Sequence, residues 1–78
     1  MNQKEKIKNN LNEEFDSIKQ SMLQSFEYIK KNPEDRKEVI NLWKGYIKKL
    51  LREATVLSEK YKDKGIIKAV TKMLMFGR

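Results

Sequence analysis

The chain has 78 residues and a formal net charge of +7, and it contains neither cysteine nor histidine. That inventory excludes disulfides and thiolate metal sites, and it removes the commonest general base and the commonest metal ligand. The length fits one small helical domain, residues 1–78, whose own core is marginal unless idealised or completed by another copy.

Charge is uneven along the chain. Residues 1–32 carry six basic and five acidic side chains, 33–62 carry eight and five, and 63–78 carry four and one. A basic excess of this kind attracts nucleic acid, an anionic membrane or an acidic protein, without choosing among them. The charged start Met1-Asn2-Gln3-Lys4-Glu5-Lys6 is followed by no apolar run of signal-peptide type. No stretch approaches the ~20 apolar residues that span a bilayer. The expected location is cytoplasmic.

The first element is a helix over about residues 3–31. Its apolar residues Ile7, Leu11, Phe15, Ile18, Met22, Phe26 and Ile29 recur at spacings of three and four, the signature of one helix face. With Phe15 at heptad position a, Leu11 and Ile18 fall at d, and Met22 and Ile29 at a. Ser25 falls at d and weakens the seam.

Asn32-Pro33-Glu34-Asp35 is the strong break. Proline suits the first helical position and not the interior. Asn32 is expected to N-cap a second helix, and Glu34 and Asp35 complement its positive end. This helix is expected over about 34–62. Ile40, Ile47, Ala54 and Tyr61 fall at a, and Trp43, Leu50 and Leu57 at d, while Val39, Leu42, Tyr46 and Leu51 widen the stripe. A two-stranded seam needs only a and d, so the wide stripe predicts more than one neighbour. In an antiparallel hairpin an a residue faces a d residue. Leu11 with Ala54, Phe15 with Leu50, Ile18 with Ile47 and Met22 with Trp43 satisfy this, and each pair is centred on Asn32-Pro33.

Gly65 is expected to end the second helix as a C-cap, and a short third helix is expected over about 66–76. Beyond it the stripe changes face. Lys64, Lys68 and Lys72 occupy the continued seam, and Ile66, Ile67, Val70, Met73 and Leu74 lie to the side.

No residue constellation here supports catalysis. Glu34 and Glu38 share a face, but at a helix start, where acids stabilise the dipole. Glu13 and Glu14 are adjacent and diverge. No catalytic residue, cofactor or metal site is expected, and the protein is read as no enzyme. The candidate contacts are macromolecular. Lys44, Lys48 and Arg52 recur every four residues on one helix face and form a row that can grip phosphates. The competing reading is a solvated face, partly neutralised by Glu13, Glu14 and Asp16 at the level of Lys49–Arg52. In the third helix Ile67, Val70 and Leu74 beside Lys68 and Lys72 give the pattern of an interfacial or partner-binding amphipathic helix. Packing as a third helix is the plain alternative. Trp43, Tyr28, Tyr46 and Tyr61 sit at or beside seam positions and read as core or dimer-interface residues.

The sequence therefore predicts an all-α fold. It is an antiparallel helical hairpin of two long helices joined at Asn32-Pro33, plus a short C-terminal helix, in a three-helix or dimeric four-helix-type bundle. The expected role is a small basic non-enzymatic interaction or regulatory protein that forms a homodimer and binds a protein partner. A nucleic acid on the basic face and an anionic membrane surface on the C-terminal helix are the alternative partners.

Overall fold

The computed structural model describes residues 2–76, and within them the chain is all-α. Helix α1 spans Gln3–Lys31, a single 3₁₀ turn spans Pro33–Asp35, α2 spans Arg36–Tyr61 and α3 spans Gly65–Phe76. Two long helices joined at Asn32-Pro33 and a short C-terminal helix are the elements that the periodicity predicts. The described residues include no strand.

The ends of these helices are set by local hydrogen bonds. Asn2 caps α1: its side-chain oxygen accepts from the Glu5 backbone N–H at 2.8 Å, which satisfies one of the orphan donors of the first turn. At the other end Asn32 acts backward and not forward. Its backbone N–H donates to the Tyr28 carbonyl at 2.8 Å and its side-chain amide to the same oxygen at 3.0 Å. The expected side-chain N-cap on the following segment is absent. With φ −134° and ψ 66°, Asn32 lies outside the α region, as the ring of a following proline requires. Its carbonyl accepts from the Asp35 N–H at 3.0 Å, which closes the 3₁₀ turn.

The stop of α2 falls earlier than Gly65, at Lys62. Lys62 takes φ 53°, its N–H reaches the Glu59 carbonyl, and the Asp63 N–H donates to the Ser58 carbonyl at 3.0 Å. Those two bonds form a Schellman motif with lysine where glycine is usual. Gly65 instead begins α3. Its N–H donates to Asp63 Oδ1 at 2.9 Å, and a Cβ on Gly65 would sit 3.1 Å from that same oxygen. A side chain there would require the capping carboxylate to give way by a few tenths of an ångström, and the backbone at Gly65 is not left-handed.

The chain divides into two units, residues 1–39 and 40–78. In the first, the protected side chains of α1 are Ile18, Ser25 and Ile29, each half-buried, and every residue from Asn2 to Ser17 is exposed. Ile7, Leu11 and Phe15 are 57%, 64% and 62% exposed. The second unit contains a half-buried stripe, Ile40, Trp43, Ile47, Leu51 and Ala54, which ends at Ser58. Ser58 is the one buried residue among those described, at 8% exposure, and its hydroxyl donates to the Thr55 carbonyl at 2.8 Å. In α3, Ile67 and Val70 are half-buried. No apolar residue is buried among the described residues.

Two substitutions at Lys62 test the Schellman turn. A left-handed lysine carries a backbone cost of about 1 kcal/mol that glycine avoids. Lys62→Gly is expected to stabilise the fold by about 0.5 kcal/mol after the added unfolded-state entropy. Lys62→Val, β-branched at positive φ, should destabilise it by about 1 kcal/mol or more. Denaturant unfolding followed by circular dichroism measures both, and equal midpoints for the two variants would reject the assignment.

Candidate interaction surfaces

On α2, Lys44, Lys48 and Arg52 are all exposed and follow one another by one helical turn each, so the structure keeps them in a single row. The nearest acidic residue along the helix is Glu53, and from residue 44 to residue 52 the side chains are four basic and none acidic.

The apolar surface of α2 is split. The heptad assignment puts Leu50 and Leu57 at d, but these are 50% and 47% exposed, while Leu51 and Ser58, one position on, are protected. Ile40, Trp43, Ile47 and Ala54 are protected at their predicted a and d positions, and only at Leu51 and Ser58 does the protected line step one position, about 100°, off d. Tyr46, Leu50 and Leu57 are left as a second, exposed apolar edge. Of the aromatic residues Trp43 lies in the half-buried stripe, and the three tyrosines do not. Trp43 and Tyr46 meet edge to face, with centroids 6.2 Å apart and planes at 84°, within the preferred range for aromatic pairs. Lys60 Nζ lies 5.5 Å from the Tyr61 ring centroid, a cation–π approach. Tyr28, Tyr46 and Tyr61 are all exposed in the single chain.

On α3 the candidate contacts separate by face. At about 100° per residue, Ile66, Ile67, Ala69, Val70, Met73 and Leu74 fall within an arc of roughly 160°. Lys68 and Lys72 occupy the opposite side, with Lys64 just before the helix in line with them. Ile67 and Val70 are half-buried; Ile66, Met73 and Leu74 remain exposed, as do Lys68 and Lys72. Met75 is the apolar exception on the lysine side. The structure thus keeps Ile67, Val70 and Leu74 on one face, with Lys68 and Lys72 behind them.

One contact at the turn went unread in the sequence. The Tyr28 hydroxyl donates to Asp35 Oδ2 at 2.6 Å, so the last turn of α1 is tied across Pro33 to the 3₁₀ segment. The signal available was a tyrosine one turn before Asn32 and an acid just beyond the proline. The hydrogen bond to the Asp35 carboxylate and that group's charge hold the Tyr28 phenol above its ordinary value, with smaller contributions from Glu38 and Glu34.

Among the described residues, no group of three or more acidic, histidine or cysteine side chains could hold a metal ion, and no helix is long and apolar enough to cross a membrane. No family model matches the chain, and comparisons with curated proteins and with solved structures find no match.

The Tyr28–Asp35 clasp has a titration signature. A phenol whose folded pKa is raised binds its proton more tightly in the folded state. Its stabilising effect is therefore complete below about pH 10, the unfolded value, and is lost as pH rises through the folded value. Ultraviolet titration of the unaltered protein and of Asp35→Asn should show the Tyr28 phenol ionising at lower pH in the variant. Superimposable titrations of the two proteins would contradict the clasp.

Proposed function

We propose that this chain is a small, basic, non-enzymatic helical interaction protein that self-associates, as a homodimer in the simplest case, and binds a further macromolecule through exposed helix faces. The observation that carries this reading is the absence of any buried apolar side chain among the described residues, although all three helices have an apolar face. Exposed apolar stripes on amphipathic helices of this length need a covering surface, because most helical stability comes from burying such a face. The antiparallel arrangement predicted from the heptads, and the four-helix-type bundle built from it, belong to this proposal. A second copy is an economical partner, since a two-fold pair covers both copies' stripes at once. The basic balance, concentrated on α2 and α3, then points to an acidic or anionic third party.

A second reading is favoured by α3 alone. Its lysines lie opposite a broad apolar arc that keeps Ile66, Met73 and Leu74 exposed, the arrangement of a helix lying on an anionic bilayer.

Sedimentation equilibrium between about 1 and 100 µM is expected to yield the mass of two chains at the upper end. A single-chain mass throughout, with a cooperative melt, would refute self-association. For the second reading, co-sedimentation with phosphatidylserine-containing vesicles is expected to fall roughly 25-fold in Lys68→Gln/Lys72→Gln, at about a factor of five per lysine. Equal recovery of the two proteins would exclude it.

A further inference from the structure

Glycine inside a helix costs backbone entropy that alanine does not, and α2 contains Gly45. A Cβ added to Gly45 would meet nothing within 4 Å, so no neighbouring atom accounts for glycine there. What surrounds it is charge. At about 100° per residue, Asn41, Gly45, Lys48, Lys49 and Arg52 share an arc of roughly 100°, and all five are exposed. Lys48 and Lys49 flank the glycine at about 60° and 40° to either side, and Lys44 borders the arc. Between Glu38 and Glu53 the helix has no acidic side chain. The half-buried stripe of Ile40, Trp43, Ile47, Leu51 and Ala54 is centred about 150° away. Within this one helix, the basic face is therefore turned from the face that is protected.

The composition of that face narrows the partner. An anionic bilayer takes up a helix by its apolar side, and the arc contains no apolar side chain between Asn41 and Arg52. A protein partner needs a desolvated, often aromatic centre with charge at the rim, and here cations hold the centre. A phosphate backbone needs cations alone. Unpaired bases bind by stacking on aromatic side chains. The arc has none, which favours a duplex. The major groove of B-form DNA admits an α-helix, whereas that of duplex RNA is too narrow to read. Gly45 trims the helix at the middle of the basic face and allows the close backbone approach that glycine provides at ligand sites. The lysines beside it are placed to reach phosphates on either wall of the groove.

We infer that the Asn41–Arg52 face of α2 binds double-stranded DNA through its phosphates, with Gly45 at the point of closest approach and Lys48, Lys49 and Arg52 as the contacts. Such binding is independent of base sequence, because phosphates carry none of that information. The inference rests on the macromolecule binding proposed above and assigns its partner and its face; it does not require self-association.

Fluorescence anisotropy of a labelled DNA duplex of about 20 base pairs, titrated with the full-length protein between about 50 and 200 mM salt, tests it. The expected slope of log affinity against log salt is about −3, at roughly 0.9 per phosphate contact. Lys48→Gln/Lys49→Gln is expected to reduce that slope by about 2, and Lys68→Gln/Lys72→Gln on α3 to leave it unchanged. Gly45→Gln introduces a good helix former where the space is open. It is expected to lose affinity at unchanged slope, because it fills the approach without removing a charge. Circular dichroism confirms that each variant keeps its helicity. No binding at about 50 mM salt would overturn the inference, as would a slope that falls in the α3 variant and not in the α2 variant. Displacement of the duplex by poly-glutamate as readily as by unlabelled DNA would give the face to an acidic protein, and equal affinity for an RNA duplex would refute seating in the groove. Poly-glutamate binding, or binding through α3, defeats the DNA assignment and leaves macromolecule binding standing; no binding to DNA, poly-glutamate or phosphatidylserine vesicles defeats both.

Discussion

All three helices carry an apolar face, yet no apolar side chain among the described residues is buried, and this constraint governs the molecule. An amphipathic helix owes most of its stability to burial of its face, at roughly 25 cal/mol per Å² of apolar surface removed from water. Ordering the backbone costs about 1–2 kcal/mol per residue. Among the described residues the least exposed is Ser58, and residues as large as Phe15 and Leu50 stay half exposed or more. A second surface is the missing element in that balance, and self-association is the source proposed for it.

What the single chain does supply is punctuation. Asn2 starts α1; Asn32 and the Tyr28–Asp35 hydrogen bond end it and hold the proline turn; Lys62 closes α2 in a Schellman turn; and Asp63 caps the start of α3. Caps of this kind contribute on the order of 1 kcal/mol each. They decide where helices begin and stop, and hence which residues share a face. They do not replace burial.

Much of this organisation was legible from the residues. The three- and four-residue spacing of Ile7 through Ile29 marked α1 as one helix with a single apolar face, and Pro33 marked the break because proline fixes its own φ and lacks the N–H that a helix interior needs. The helix ends were less legible. Lysine is a rare left-handed residue, so Gly65 attracted the C-cap assignment that Lys62 fills. Asn32 was expected to cap forward, and its side chain turned back to the Tyr28 carbonyl. Asn2 followed three residues later by Glu5 is a capping pattern that could have been read directly. On α2 the heptad count assumed one seam. Ile40, Trp43, Ile47 and Ala54 are protected where the count places them, and the line departs from it at Leu51 and Ser58, where Leu50 and Leu57 stay exposed. The candidate contacts Lys44, Lys48, Arg52, Lys68 and Lys72 were legible as surface charge, but their partner is not encoded in the spacing.

The central claim is that helix formation in this protein depends on a second surface. Far-ultraviolet circular dichroism across a dilution series from about 100 µM to below 0.1 µM tests it most directly, with thermal melts at each concentration. Helix content that falls on dilution, with a melting midpoint that rises with concentration as mass action requires, is the predicted result. A midpoint and helicity independent of concentration over that range would contradict the account.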